Sequence, residues 1–473
     1  MFGQIMMKQL QFIGLLSWNN RPAVVFACCA FPALLFLSVY TPAFQVPDEV
    51  HHFMRAYQVY QGEFFPMKEL RGDGNWSVGG MVDKNIMPLD TVYHELKFFS
   101  QNKVTSQAQQ RASGLDWSGD VFTDTRNVSI YPPFLYMPTS LGIALAKGLG
   151  LNIENTLIFC RILQSLCVLG LSFVGLCLSI KGQWWLCLVL LLPMSLGQMA
   201  SVSQDGFLIS LAVLSVALLG RVIDSGSSKK TPHMIYFSAL CLWLLATARP
   251  PYIALALSFL VVAREHKDIR HVFRAALSSF LLVCGGALLW FWHLSQNVFL
   301  KDQRIEGVSY EANIGFILFQ PIEWLGFLLR SIVAQWSYYF KTFVGNLGHH
   351  DTPFPDLYYM AAFIALCLAG GLTAGTQRSL STNAWAWLTI VFLTILGIFM
   401  ALFITWTPLH YPYLHGVQGR YFIPVAFFIG LIGAKNHGVL PQALSLWGVR
   451  WIKGFALGTL MLTPYVVYVR YYG

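Results

Sequence analysis

Apolar runs of about 15 to 25 residues, parted by short polar turns, recur along most of this chain. A run of about 20 nearly uncharged residues is long enough to cross the hydrocarbon core of a bilayer as a helix. The pattern predicts spans over about 23–40, 157–180, 183–202, 205–223, 233–248, 250–263, 275–295, 355–376, 384–405, 420–436 and 450–469, roughly eleven in all. The first leads through Tyr40-Thr41-Pro42-Ala43-Phe44-Gln45 into an acidic motif and is read as an uncleaved anchor. Two stretches break the rhythm. Residues 42–131 form the largest polar piece, and 60–130 within it carry no pattern that fixes their order; Tyr131-Pro132-Pro133 then opens an apolar helix to Leu149, too short to span and expected at the interface. Residues 321–343 hold Arg330, Gln335 and Lys341 and read as an amphipathic helix or hairpin on the outer side. The chain divides into 1–41 (N-terminus and first span), 42–156 (large outer loop), 157–295 (central spans), 296–354 (second outer loop) and 355–473 (C-terminal spans).

Composition agrees. Of 473 residues 56% are hydrophobic and 11% charged, with mean hydropathy +0.55; soluble proteins carry about 25% charged residues. The fold class is therefore an all-α polytopic membrane protein. The net charge of +9 lies largely in short loops such as Lys229-Lys230 and Arg264 to Arg270, where basic residues set orientation, so it implies no nucleic-acid partner. These loops, with Lys8 and Arg21, face the cytoplasm. The nine cysteines stand in apolar runs without metal or disulfide spacing. No internal repeat appears, which weighs against transporters built from repeated halves.

Sidedness gathers the chemically suggestive residues on the outer face: Asp48, Glu49, His51, His52, Arg55, Arg161, Asp205, Arg249, His349, His350, Asp351, His410, His415, Gln418, Arg420 and Tyr421. Ionisable residues at a membrane boundary are functional candidates by default. A helix running on from Asp48 would place His52 and Arg55 on the same face at i+4 and i+7. The plain alternative is that Asp48 only caps that helix. Adjacent histidines rarely both ligate, so no metal site is assigned, and a divalent cation, Mg²⁺ or Mn²⁺, stays open. Arginines would grip a lipid-linked phosphate, while a carboxylate takes the proton of an attacking hydroxyl. That is glycosyl transfer from a polyprenyl-phosphate sugar, which needs no nucleotide motif, and none is present.

The acidic motif after the first span, the Tyr131-Pro132-Pro133…Gly148-Leu149-Gly150…Arg161 series and the second acidic turn at Ser203-Gln204-Asp205 resemble the GT-C superfamily of integral membrane glycosyltransferases. More narrowly, Pro47-Asp48-Glu49, Ser201-Val202-Ser203-Gln204-Asp205 and Gly416-Val417-Gln418-Gly419-Arg420-Tyr421 resemble a bacterial inner-membrane family of GT-C type. The resemblance implies a large periplasmic first loop with interfacial helices and an active site facing the periplasm. It implies inverting transfer from undecaprenyl phosphate to an envelope saccharide such as lipid-linked O antigen, as in phage-type serotype-converting glucosyltransferases. Carried over, Asp48 is the base and Glu49 its helper; Arg420, then Arg249, holds the donor phosphate; Arg161 and Asp205 pair or brace the cavity; His52, Arg55, His349, His350, Asp351, His410, His415, Gln418 and Tyr421 line it. No cofactor is required. A donor-synthesising glycosyltransferase and a flippase would act upstream. An O-antigen polymerase or ligase, and a lipid-linked saccharide transporter, are the competing readings.

Overall fold

The computed structural model describes residues 21–70, 76–225, 230–298, 307–374, 382–409, 411–433 and 442–473. Among them eight helices are long and apolar enough to cross a membrane. In chain order the helices of the first half are α1 (Arg21–Tyr40), α2 (Glu49–Tyr60), α3 (Ile86–Val92), α4 (Ser106–Ser113), α5 (Met137–Gly148), α6 (Ile153–Leu178), α7 (Gln183–Leu190), α8 (Pro193–Met199), α9 (Asp205–Ser225) and α10 (Thr231–Ala248). There follow α11 (Ser258–Glu265), α12 (Arg270–Asn297), α13 (Tyr310–Phe319), α14 (Pro321–Val344), α15 (Asp356–Ala374), α16 (Thr382–Trp406), α17 (Ile423–Ala426) and α18 (Gln442–Tyr471). The eight long ones are α1, α6, α9, α10, α12, α15, α16 and α18.

The other three apolar segments foreseen are present but broken. Residues 183–202 divide into α7 and α8 before Pro193; 250–265 begin as a 3₁₀ helix, Pro250–Leu257, before α11; and 419–431 alternate 3₁₀ turns with α17. Each break carries a proline near a helix start, where its missing N–H costs nothing, whereas in a helix interior it would remove a bond. A broken helix exposes polar backbone, which lipid cannot satisfy. These segments are accordingly enclosed by their neighbours: every residue from Trp185 to Leu196, and from Ile423 to Phe428, is buried. Residues 183–202 start where Gly182 packs on Gly430 and end where the Val202 amide donates to Glu49.

The loops gather at one end. Residues 42–131, whose order the sequence left open, hold an antiparallel sheet of β1 (Met67–Leu70), β2 (Trp76–Asp83) and β3 (Asp120–Asp124), in register Met67↔Gly79 and Gly79↔Asp124. The 3₁₀ turn Pro133–Tyr136 and α5 follow, exposing Phe134, Met137, Leu141 and Leu145 along one stripe, as an interfacial helix requires. α13 and α14 bend by 108° at Gln320, and Ile322, Leu325, Leu329, Val333 and Trp336 line the outside of α14. The C-terminal helix closes the loop end: Arg470 donates to the carbonyls of Leu96 and Asn102 and pairs with Asp351 at 2.7 Å.

Candidate functional site

Helix α2 starts abruptly. Asp48 adopts φ 65°, a left-handed conformation that Asp tolerates better than most residues. Its carbonyl accepts the His52 amide at 3.1 Å, but its side chain makes no cap bond. The carboxylate is thereby left free: 57% exposed, with Oδ2 3.6 Å from Nη2 of Arg420. Capping does not explain this aspartate.

Arg420 reaches this point from the 3₁₀ turn Gly419–Phe422. The turn lies so close to α14 that a Cβ on Gly419 would overlap the Tyr339 carbonyl oxygen and the Phe343 amide, while the Gly419 amide donates to Thr342 Oγ1 at 2.8 Å. The Arg420 guanidinium is only 5% exposed; its Nε is shut from solvent with no hydrogen-bond partner, and its ion pair with Asp48 is long. Arg249, the C-cap residue of α10, differs: its Nη2 donates to Asp205 Oδ1 at 2.6 Å, and Asp205 begins α9. Both guanidiniums face the Tyr421 ring, at 4.3 Å for Arg249 and 5.5 Å for Arg420. Asp48, Asp205, Arg249, Arg420 and Tyr421 thus form one cluster of two carboxylates and two guanidiniums.

His52 forms its floor. It is buried, and its Nδ1 lies 2.8 Å from the Tyr136 hydroxyl and its ring 5.7 Å from Tyr131. Burial, against the raising effect of Asp48, lowers its pKa to about 4, so the ring is neutral near pH 7. Burial likewise pushes the Tyr131 hydroxyl up to about 12. Neither tyrosine was singled out as a site residue from the sequence. The signal was there, since they bracket the Pro132-Pro133 turn of a quoted motif.

Several expected members stand elsewhere. Glu49 is fully buried and occupied: Arg161 donates to both its oxygens, at 2.8 and 2.5 Å, and the Val202 amide to one at 3.0 Å. It cannot position the acceptor or bind a metal, the roles the resemblance implies for it, without breaking that clasp. Arg161 therefore pairs with Glu49, not Asp205, and also ties the carbonyls of Thr41 and Pro42. Arg55 turns away to Gln58 and the carbonyls of Glu63 and Phe64, fastening the exit of α2. Asp351 is taken by Arg470 and the Phe98 amide. His349 packs on Phe98 at 5.1 Å, and burial lowers its pKa, as it does for His51. His415 is exposed beside Tyr411, at 5.6 Å between rings. His350 and Gln418 lie side by side, with their polar atoms shut from solvent. His410 lies outside the described residues. Among the described residues no three His, Cys, Asp or Glu side chains group as a metal would require.

Fold and site together define a polytopic, mostly helical membrane protein with a charged cluster at the loop end of its bundle. The chain belongs to the family described as Predicted membrane protein (DUF2142), whose model matches residues 15–429. No curated protein matches the sequence. Among solved structures it is similar to ArnT from Cupriavidus metallidurans bound to undecaprenyl phosphate, at 12% identity and TM-score 0.45, covering 94% of this chain and 76% of that one. A likeness this loose carries no conclusion about chemistry.

Proposed function

We propose that the protein is an inverting glycosyltransferase that moves a sugar from a polyprenyl-phosphate donor, such as undecaprenyl phosphate, to a cell-envelope saccharide such as lipid-linked O antigen. One observation carries the reading: a half-exposed carboxylate, Asp48, stands 3.6 Å from a buried guanidinium, Arg420, whose Nε has no hydrogen-bond partner. Burying an arginine is costly unless an anion compensates it. A phosphate oxygen matches its fork better than one distant carboxylate oxygen does.

The acceptor hydroxyl attacks the anomeric carbon of the sugar while its proton passes to Asp48. The bond from that carbon to the phosphate oxygen breaks, and the lipid phosphate leaves with the electron pair. Arg420 takes the growing charge. Arg249, neutralised by Asp205, is the second hand on the phosphate and holds the Tyr421 ring in place. Proton transfer to Asp48 removes one negative charge from beside the departing anion, which lowers their repulsion. The reaction is placed on the periplasmic side of a bacterial inner membrane and needs no resident cofactor. The donor would be made and flipped by upstream enzymes.

The test is transfer of radiolabelled hexose from its polyprenyl phosphate to lipid-linked saccharide. Asp48→Asn keeps the left-handed backbone and should cost about 10²–10⁴-fold in rate. Added chelator should leave the wild type unchanged. Full activity in a folded Asp48→Asn protein would remove Asp48 as base. Consumption of lipid pyrophosphate donors only would replace the reading with a polymerase.

A further inference from the structure

A second residue with left-handed backbone lines the same cavity as Arg420. Strands β4 (Asn346–Leu347) and β5 (Thr352–Pro353) pair in register Leu347↔Thr352, and the turn between them carries His350 at φ 63°. A non-glycine residue at positive φ is uncommon, and in this protein Asp48 and His350, two of the four described instances, both flank one guanidinium. The turn is held from behind. Asn346 Nδ2 donates to the His350 carbonyl at 2.9 Å, and Arg470 fixes the adjacent Asp351.

The ring of His350 lies near the Arg420 charge. Both its nitrogens are shut from solvent; the Gln418 side chain is the polar group beside them, and the Tyr338 ring stands 5.8 Å away. Arg420, His350, Pro47 and Gln198 line a shared cavity of about 30 Å³. At roughly 10–15 Å³ per water-sized atom this admits about two or three, enough for the two non-bridging oxygens of the donor's phosphodiester. Gln198 Oε1 is a further shielded atom without a partner. Burial and the nearby Arg420 charge hold the imidazole at about 4, so near pH 7 it is neutral and has one N–H to give. A cation here would repel Arg420, whereas a neutral donor does not.

We infer that the 346–353 hairpin forms the second wall of the donor-phosphate site, with the His350 N–H binding a phosphate oxygen opposite Arg420. This rests on the donor class proposed above. His350 gives a hydrogen bond only; no proton leaves it, and the acceptor proton still goes to Asp48.

Binding of a short-chain polyprenyl phosphate to the full-length protein in detergent, read by tryptophan fluorescence against the matching polyprenyl alcohol, tests it. Two variants separate the donor from the backbone. His350→Gly relaxes the left-handed turn but removes the N–H, and should weaken phosphate binding about tenfold. His350→Asn also tolerates that conformation and keeps an N–H, and should stay within about threefold of wild type. Neither should alter the melting midpoint enough to explain the difference. Wild-type affinity in His350→Gly, or equal loss in His350→Asn, would overturn the inference while leaving the donor class standing. A wild type that prefers the phosphate no more than the alcohol would overturn both.

Discussion

Two neighbouring acids, Asp48 and Glu49, have opposite fates, and the hand of the backbone decides it. The left-handed turn at Asp48 sends one carboxylate to the cluster, while Glu49 starts the helix and drops into a clasp with Arg161. The two should therefore respond differently to loss of charge. Glu49→Gln leaves Arg161 buried without its counter-ion, a change that costs about 3–5 kcal/mol for such pairs. A large drop in melting temperature and in monodisperse yield is expected for Glu49→Gln. Asp48→Asn, half-exposed and weakly paired, should melt like wild type while losing transfer. Equal melting of the two variants would refute the division of roles. The sequence made Asp48, Asp205, Arg249 and Arg420 visible because charge at a membrane boundary stands out against apolar runs. It could not separate Glu49 from Asp48, since the difference lies in a single φ angle. Nor could the helical stripe place Arg55, whose carbonyl partners come from the turn after α2.

Among the elements, the crossing of α14 with the Gly419–Phe422 turn matters most. Gly419 might be thought to keep the backbone open beside Arg420; its role is instead to let two backbones touch, because any side chain would collide with α14 at Tyr339 and Phe343. Gly419→Ala should push the turn off α14 and carry Arg420 with it. Transfer and polyprenyl-phosphate binding should both be lost, with a marked fall in stability; a fully active, stable Gly419→Ala protein would show that the two elements part without consequence. Hydropathy made the eight long spans legible, and the helices α5 and α14 with them, because composition and length alone mark them. It did not show which apolar segments are broken, although Pro193, Pro250 and Pro424 stand at or beside the helix starts concerned. The three-stranded sheet escaped as well. β1 has all four residues exposed and lacks the alternation by which a strand is recognised.

For the molecule as a whole, the contacts of Arg470 and Lys103 join the end of α18 to the large loop. Arg470 meets Asp351, Leu96 and Asn102, Lys103 donates to the Val469 carbonyl at 2.7 Å, and the Val104 amide donates to the Tyr471 carbonyl at 2.8 Å. Arg470→Ala should free residues 97–104 without dissolving the helical bundle. Trypsin should then cut at Lys97 and Lys103 markedly faster than in wild type, and a cleavage rate unchanged by the substitution would mean that the loop holds its place unaided. The same join has a bearing on how the protein is made. The residues it connects lie 374 positions apart in the chain, Leu96 to Arg470. At roughly 5–20 residues per second of synthesis, the loop emerges on the order of 20–75 s before its partner leaves the ribosome. Through that interval the sheet and α2 must hold their shape unaided or under the care of a chaperone, and residues 96–104 are fastened only when the last helix arrives.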